Sequence, residues 1–97
     1  MKKEGREEGE PVRIPIDGVL DLHMFAPKDA RSVVEEYLRA CELEGIYEVR
    51  IIHGKGRGVL RRTVHALLEN HPRVESYRLD SGPSSWGATT VKLKIRR

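Results

Sequence analysis

The chain is poor in the features that mark specialised proteins. Its 97 residues include one cysteine, one phenylalanine and one tryptophan. A lone cysteine, Cys41, cannot close an internal disulfide, so nothing calls for an oxidising compartment. No apolar run approaches the roughly 20 residues that span a bilayer. The first residues carry charges where a secretion signal needs an apolar stretch. Cytoplasm is therefore the expected location, and no membrane partner is expected. Several catalytic templates are missing as well. No pair of Cys-x-x-Cys motifs is present to hold zinc, and the glycine-rich stretch lacks the spacing and the Lys-Ser/Thr of a P-loop.

What is present is charge. A third of the residues are charged (34%), with a net charge of +3 and an isoelectric point near 9.2. This mild excess is unevenly spread. The acids gather in the first half, while Lys55, Arg57, Arg61, Arg62 and Arg73 follow the glycines and the chain ends KLKIRR. A basic second half is the electrostatic footprint of nucleic-acid binding, although lysine and arginine also keep small domains soluble.

Residues 1–15 offer almost nothing to bury and read as a disordered tail, leaving 16–97 as one domain. VLDL (19–22) is short, apolar and bounded by Asp17-Gly18 and Pro27, as suits a buried strand. From Pro27, the residues Ala30, Val33, Val34, Tyr37, Leu38 and Cys41 recur at helical spacing, with Gly45 as the stop. EVRIIH (48–53) reads as a second strand. Val59, Leu60, Thr63, Val64, Leu67 and Leu68 mark a second helix, ended by Asn70-His71-Pro72. VESYRL (74–79) is a third strand and DSGPSSWG is turn chemistry. Thr89, Val91, Leu93 and Ile95 alternate with polar residues as a half-exposed fourth strand. The order β-α-β-α-β-β predicts a two-layer α/β sandwich on a mixed four-stranded sheet. Its helix-linked strands should be parallel and its last two an antiparallel hairpin.

In that topology His23 and His53 end parallel strands and emerge at one sheet edge, where ligands of open α/β sheets bind. Asp21, two residues before His23 on a strand, should share its face and can orient the imidazole for proton transfer. The stretch HGKGRG (53–58) lies at the same edge and feeds a helix N-terminus, a place suited to anions. Its glycines allow close approach of a phosphate, and Lys55 and Arg57 add full charges. Arg61 and Arg62 follow one turn later. A plain strand-to-helix turn would also account for the glycines. His65 and His71 read as surface residues and Cys41 as core.

Taken in order, these motifs resemble the small MutS-related (Smr) domain over roughly residues 17–95. Leu20-Asp21-Leu22-His23 matches the family's Leu-Asp-Leu-His, and His53-Gly54-Lys55-Gly56 its Thr-or-His-Gly-x-Gly. The HPRV segment (71–74) and Trp86-Gly87-Ala88-Thr89-Thr90-Val91 fit too. Met24 stands where the family usually has glycine, and Ser84-Ser85-Trp86 where it often has paired glycines. Trp86 could offer a stacking face to a base.

The resemblance implies nucleic-acid binding and, in several members, an endonuclease that nicks DNA or cuts RNA. On that expectation Asp21, His23 and His53 are catalytic. Gly54, Lys55, Gly56, Arg57, Gly58, Arg61, Arg62 and Trp86 then contact the nucleic acid. The alternative is a non-catalytic DNA-, RNA- or ribosome-binding module, and a third reading is a small phosphate ligand. Magnesium and manganese are left open as cofactors, no metal ligands are assigned, and the oligomeric state is open.

Overall fold

A computed structural model describes residues 15–54, 58–80 and 87–95. Residues 1–14 of the expected tail, Lys55, Gly56, Arg57 and Trp86 lie outside the described residues. The elements are β1 (Val19–Asp21), α1 (Ala30–Leu43), β2 (Glu48–Ile52), α2 (Val59–Glu69), β3 (Val74–Leu79) and β4 (Ala88–Leu93). They form one mixed sheet in the order β1-β2-β4-β3. β1 pairs parallel with β2, and β4 pairs antiparallel with both β2 and β3. The two-layer sandwich and its mixed sheet are thus as the sequence pattern predicts.

The position of β4 fixes the layering. β3 runs parallel to β2 but one strand away, leaving a slot that β4 fills by folding back from the β3 turn. Both crossovers, β1-α1-β2 and β2-α2-β3, advance in the same direction along the sheet. Right-handed crossovers then put both helices on one face. Their apolar stripes meet there: Val34, Leu38 and Cys41 of α1 and Val64 and Leu68 of α2 join Leu20, Val49, Ile51, Val91 and Leu93 in one buried cluster. Each fully buried aliphatic side chain contributes about 1.5–3 kcal/mol. The opposite face exposes Val19, Glu48, Ser76, Arg78 and Lys92. None of the described helices is long and apolar enough to cross a membrane.

Two local devices set element ends. Glycine at position 45, with φ +77°, ends α1 by a left-handed turn that L side chains resist. The Ile46 N–H then donates to Cys41 O (2.8 Å) and the Gly45 N–H to Glu42 O (3.1 Å), which satisfies two terminal carbonyls. At the other end, α1 begins at Ala30 rather than Pro27, because Pro27–Asp29 take a 3₁₀ turn first.

The entry to β1 is clamped by Tyr37 from α1. Its hydroxyl accepts from the Gly18 N–H and donates to Val19 O, both at 3.0 Å. Burial, with Cys41 beside it, raises the phenol above its ordinary range and keeps it a neutral donor. Tyr37→Phe is expected to lower stability by about 1–3 kcal/mol, the cost of leaving a buried N–H without its acceptor. An unchanged urea midpoint would show that the clamp contributes nothing.

Candidate functional site

β1 and β2 end and β4 begins at the same sheet edge, and of the predicted site residues Asp21, His23, His53 and Gly54 lie there. β1 stops one residue sooner than its pattern suggests. Asp21 causes this: its Oδ1 accepts the His23 N–H at 2.9 Å, a side-chain turn that competes with the strand ladder. Residues Leu22–Met24 therefore form a 3₁₀ turn, and His23 stands on that turn instead of on the strand. The expected partnership survives the change. The same Oδ1 lies 2.9 Å from His23 Nδ1, so one carboxylate oxygen accepts both the backbone and the ring N–H. The His23 side chain is 61% exposed and that of Asp21 is 43% exposed. With Nδ1 held by Asp21, Nε2 is the ring nitrogen left to act.

That nitrogen rests against Gly54. A Cβ added there would stand 2.7 Å from His23 Nε2 and would push the ring aside, and φ of +84° strains any residue other than glycine. The Gly54 N–H does not face outward. It donates to Gly87 O at 2.8 Å, as the His53 N–H does at 2.9 Å. Gly54 thus supplies a floor for the imidazole instead of an open amide for a phosphate.

His53 is placed differently from His23. It continues the inward alternation of Val49 and Ile51 and is only 4% exposed. Its Nδ1 donates to Gly54 O at 3.0 Å, and its Nε2 lies 2.8 Å from Thr89 Oγ1. His65, expected at the surface, instead turns inward to the same hydroxyl, with Nε2 2.7 Å from Thr89 Oγ1. It packs edge-on to His53 and against Tyr77, whose hydroxyl donates to Glu69. Thr89 was signalled by the sequence as the one hydroxyl on the apolar side of β4. Nothing in the spacing of His65 pointed to it, because the docking of α2 on β4 is a tertiary event.

His71 is also buried rather than superficial. Its Nδ1 accepts the Arg73 N–H at 3.1 Å, so Nε2 donates to Glu35 at 2.7 Å and ties the α2 exit turn to α1. Cys41 lies in the core as expected, and burial raises its thiol above the ordinary range.

Gly58 caps α2 with φ +81°. A Cβ there would lie 2.8 Å from Arg61 Nη2 and 3.3 Å from Arg62 Nη1, so both guanidinium groups crowd over the start of the helix. At the exit of β3, Asp80 accepts from Arg50 Nε (2.8 Å) and from the Thr90 hydroxyl. Burial pushes the Asp80 carboxyl up, but Thr90, Arg50 and Arg78 outweigh it and hold the group below its usual value. Among the described residues, no group of three or more His, Cys, Asp or Glu is placed to hold a metal ion.

Burial is the main cause that places His53 and His65 below the ordinary imidazole value of 6.5. The Gly54 carbonyl partly restores His53, and the Arg61 charge depresses both. The unfolded chain therefore takes up these protons first. Stability is full above about pH 6.5 and declines as pH falls below it toward the folded-state values. The urea midpoint should be lower at about pH 5.5 than at about pH 7.5, and a flat profile would contradict neutral, buried histidines. Gly54→Ala should cost about 1–3 kcal/mol in backbone strain and displace the His23 ring, seen as a shift of its NMR resonances.

The motifs and the geometry agree with what the chain is similar to. The family model for the Smr domain matches residues 20–94. The chain is 35% identical over 94 residues to Endonuclease MutS2 of Clostridium tetani, covering 95% of this chain and 12% of that protein. It is 42% identical over 76 residues to Endonuclease MutS2 of Clostridium novyi, covering 77% and 10%. It therefore spans about a tenth of these relatives. The crystal structure of the Smr domain of Thermus thermophilus MutS2 superposes with a TM-score of 0.71 at 32% identity, covering 78% of this chain and 96% of that one. YdaL, a stand-alone small MutS-related protein from Escherichia coli, gives 0.72 at 26% identity, covering 82% and 66%. The chain belongs to the Smr domain family.

Proposed function

We propose that this domain binds nucleic acid at the His23 edge and cleaves its phosphodiester bonds. One observation carries the reading: an exposed imidazole is locked by a carboxylate against Gly54, where the sequence runs on into a basic, glycine-rich stretch. Asp21 holds His23 Nδ1–H, which directs Nε2 to the edge. Arg61 and Arg62 crowd the first turn of α2, and Lys55 and Arg57 lie in the connecting stretch. These four cations would hold the phosphate. His23 Nε2 would take a proton from the attacking water, or from a ribose 2′-hydroxyl in RNA. Phosphorus would gain that oxygen as the bond to the leaving oxygen breaks, and the leaving oxygen would take its proton from solvent water. The MutS2 relatives are named endonucleases, which supports the same reaction class.

The burial of His53 redistributes the roles. Both of its nitrogens are engaged within the protein, so proton transfer falls to His23 and Asp21, and His53 serves as a support. The same fact favours the second reading, a non-catalytic DNA-, RNA- or ribosome-binding module. A single exposed imidazole is a smaller catalytic apparatus than the pair the sequence suggests.

Supercoiled plasmid and labelled RNA, each with magnesium, manganese or chelator, separate the two. Asp21→Ala combined with His23→Ala should reduce cleavage by at least about a hundredfold, the usual share of general acid–base catalysis, while most affinity remains. Equal cutting by the wild type and the double variant would sink the assignment. Absence of cutting with salt-sensitive binding intact would leave the binding module. Lys55→Ala with Arg57→Ala should weaken binding first and flatten its dependence on salt.

A further inference from the structure

The buried histidines form more than a polar contact, because the chemistry of their partners gives the chain of hydrogen bonds a single direction. A carbonyl can only accept, so Gly54 O requires the proton on His53 Nδ1. A neutral ring then has its lone pair on Nε2, which must accept the Thr89 hydroxyl proton. Thr89 has one proton to give, so its oxygen accepts from His65 Nε2–H. The sequence of donors runs His65, Thr89, His53, Gly54, from α2 through β4 and the end of β2 into the loop. The far end is anchored by the His65 ring against Tyr77, with centroids 5.0 Å apart, and by the Tyr77 hydroxyl on Glu69.

At the near end this chain reaches Gly54, the residue against which His23 packs. The Gly54 N–H is pinned by Gly87 O and its C=O by His53. Between them the Gly54 Cα is the surface against which His23 Nε2 rests.

We propose that Thr89 and His65 are positioning residues of the His23 site, acting through His53 and the Gly54 peptide. This rests on the reading of His23 as the reacting group, and the test keeps the two separable. Thr89 is fully buried, and His65 is half-buried with its ring edge-on to His53. Their influence is on where Gly54 places the imidazole, so it should fall on turnover rather than on nucleic-acid affinity.

The experiment uses the full chain labelled with ¹⁵N and ¹³C. In the wild type the imidazole nitrogen shifts should show His53 protonated on Nδ1 and His65 on Nε2. Thr89→Val keeps the shape and removes the hydroxyl. It should move the His23 ring resonances and lower kcat on the preferred plasmid or RNA substrate by about tenfold, with KM nearly unchanged. Thr89→Ser, which keeps the hydroxyl, should restore both. His65→Leu and His65→Gln, at a half-buried site, repeat the comparison where Thr89→Val fails to fold. The glutamine amide can donate to Thr89, and leucine cannot. His53 protonated on Nε2, an unmoved His23 ring in the non-donating variants, or equal losses in valine and serine variants would each overturn the proposal. A wild type that binds without cutting removes the enzyme reading alone, because the tautomers and the His23 resonances still decide the relay.

Discussion

The carbonyl of Gly87 holds the functional edge together. It accepts the N–H groups of both His53 and Gly54, at 2.9 and 2.8 Å, where β2 ends and β4 begins. Without that junction the β2 exit would be an ordinary loop, and Gly54 would have no fixed relation to the rest of the sheet. With it, the left-handed turn at Gly54 is over-determined, which is the condition under which strained backbone persists at a site. The His23 turn, the basic start of α2 and the inward His53 are all arranged around that one peptide.

Placing three histidines in protected positions in so small a domain has a physical requirement. A buried imidazole without partners is costly, so each must be bonded at both nitrogens or turned partly toward solvent. His53 and His71 meet the requirement with both nitrogens engaged. His65 meets it with one bond and a half-buried ring. His23 is the exception: it is exposed, and one nitrogen is tied to Asp21 while the other faces the edge. The contrast separates the three histidines held inside the fold from the exposed one, His23.

Much of this was legible along the chain. The helical stripes of α1 and α2 and the period-two pattern of β4 placed the elements, because burial of one face imposes its period on the sequence. The pairing of Asp21 with His23 was also readable, though for a different local reason: an aspartate two residues from the partner makes a turn as readily as a shared strand face. The inward alternation Val49, Ile51, His53 already indicated that His53 faces the core. Its place at the end of a strand parallel to β1 put it at the edge instead.

Local patterns in the chain suffice for the element order, the apolar faces and membership of the Smr family. Those depend on local periodicity and on motifs a few residues long. Only the tertiary structure decided that β4 lies between β2 and β3, that both helices cover one face, and that His65 and His53 share the Thr89 hydroxyl across 24 and 36 residues of chain. Those contacts join segments distant in sequence. Their partners are selected by how two helices and a hairpin pack on the sheet, and no local spacing encodes that.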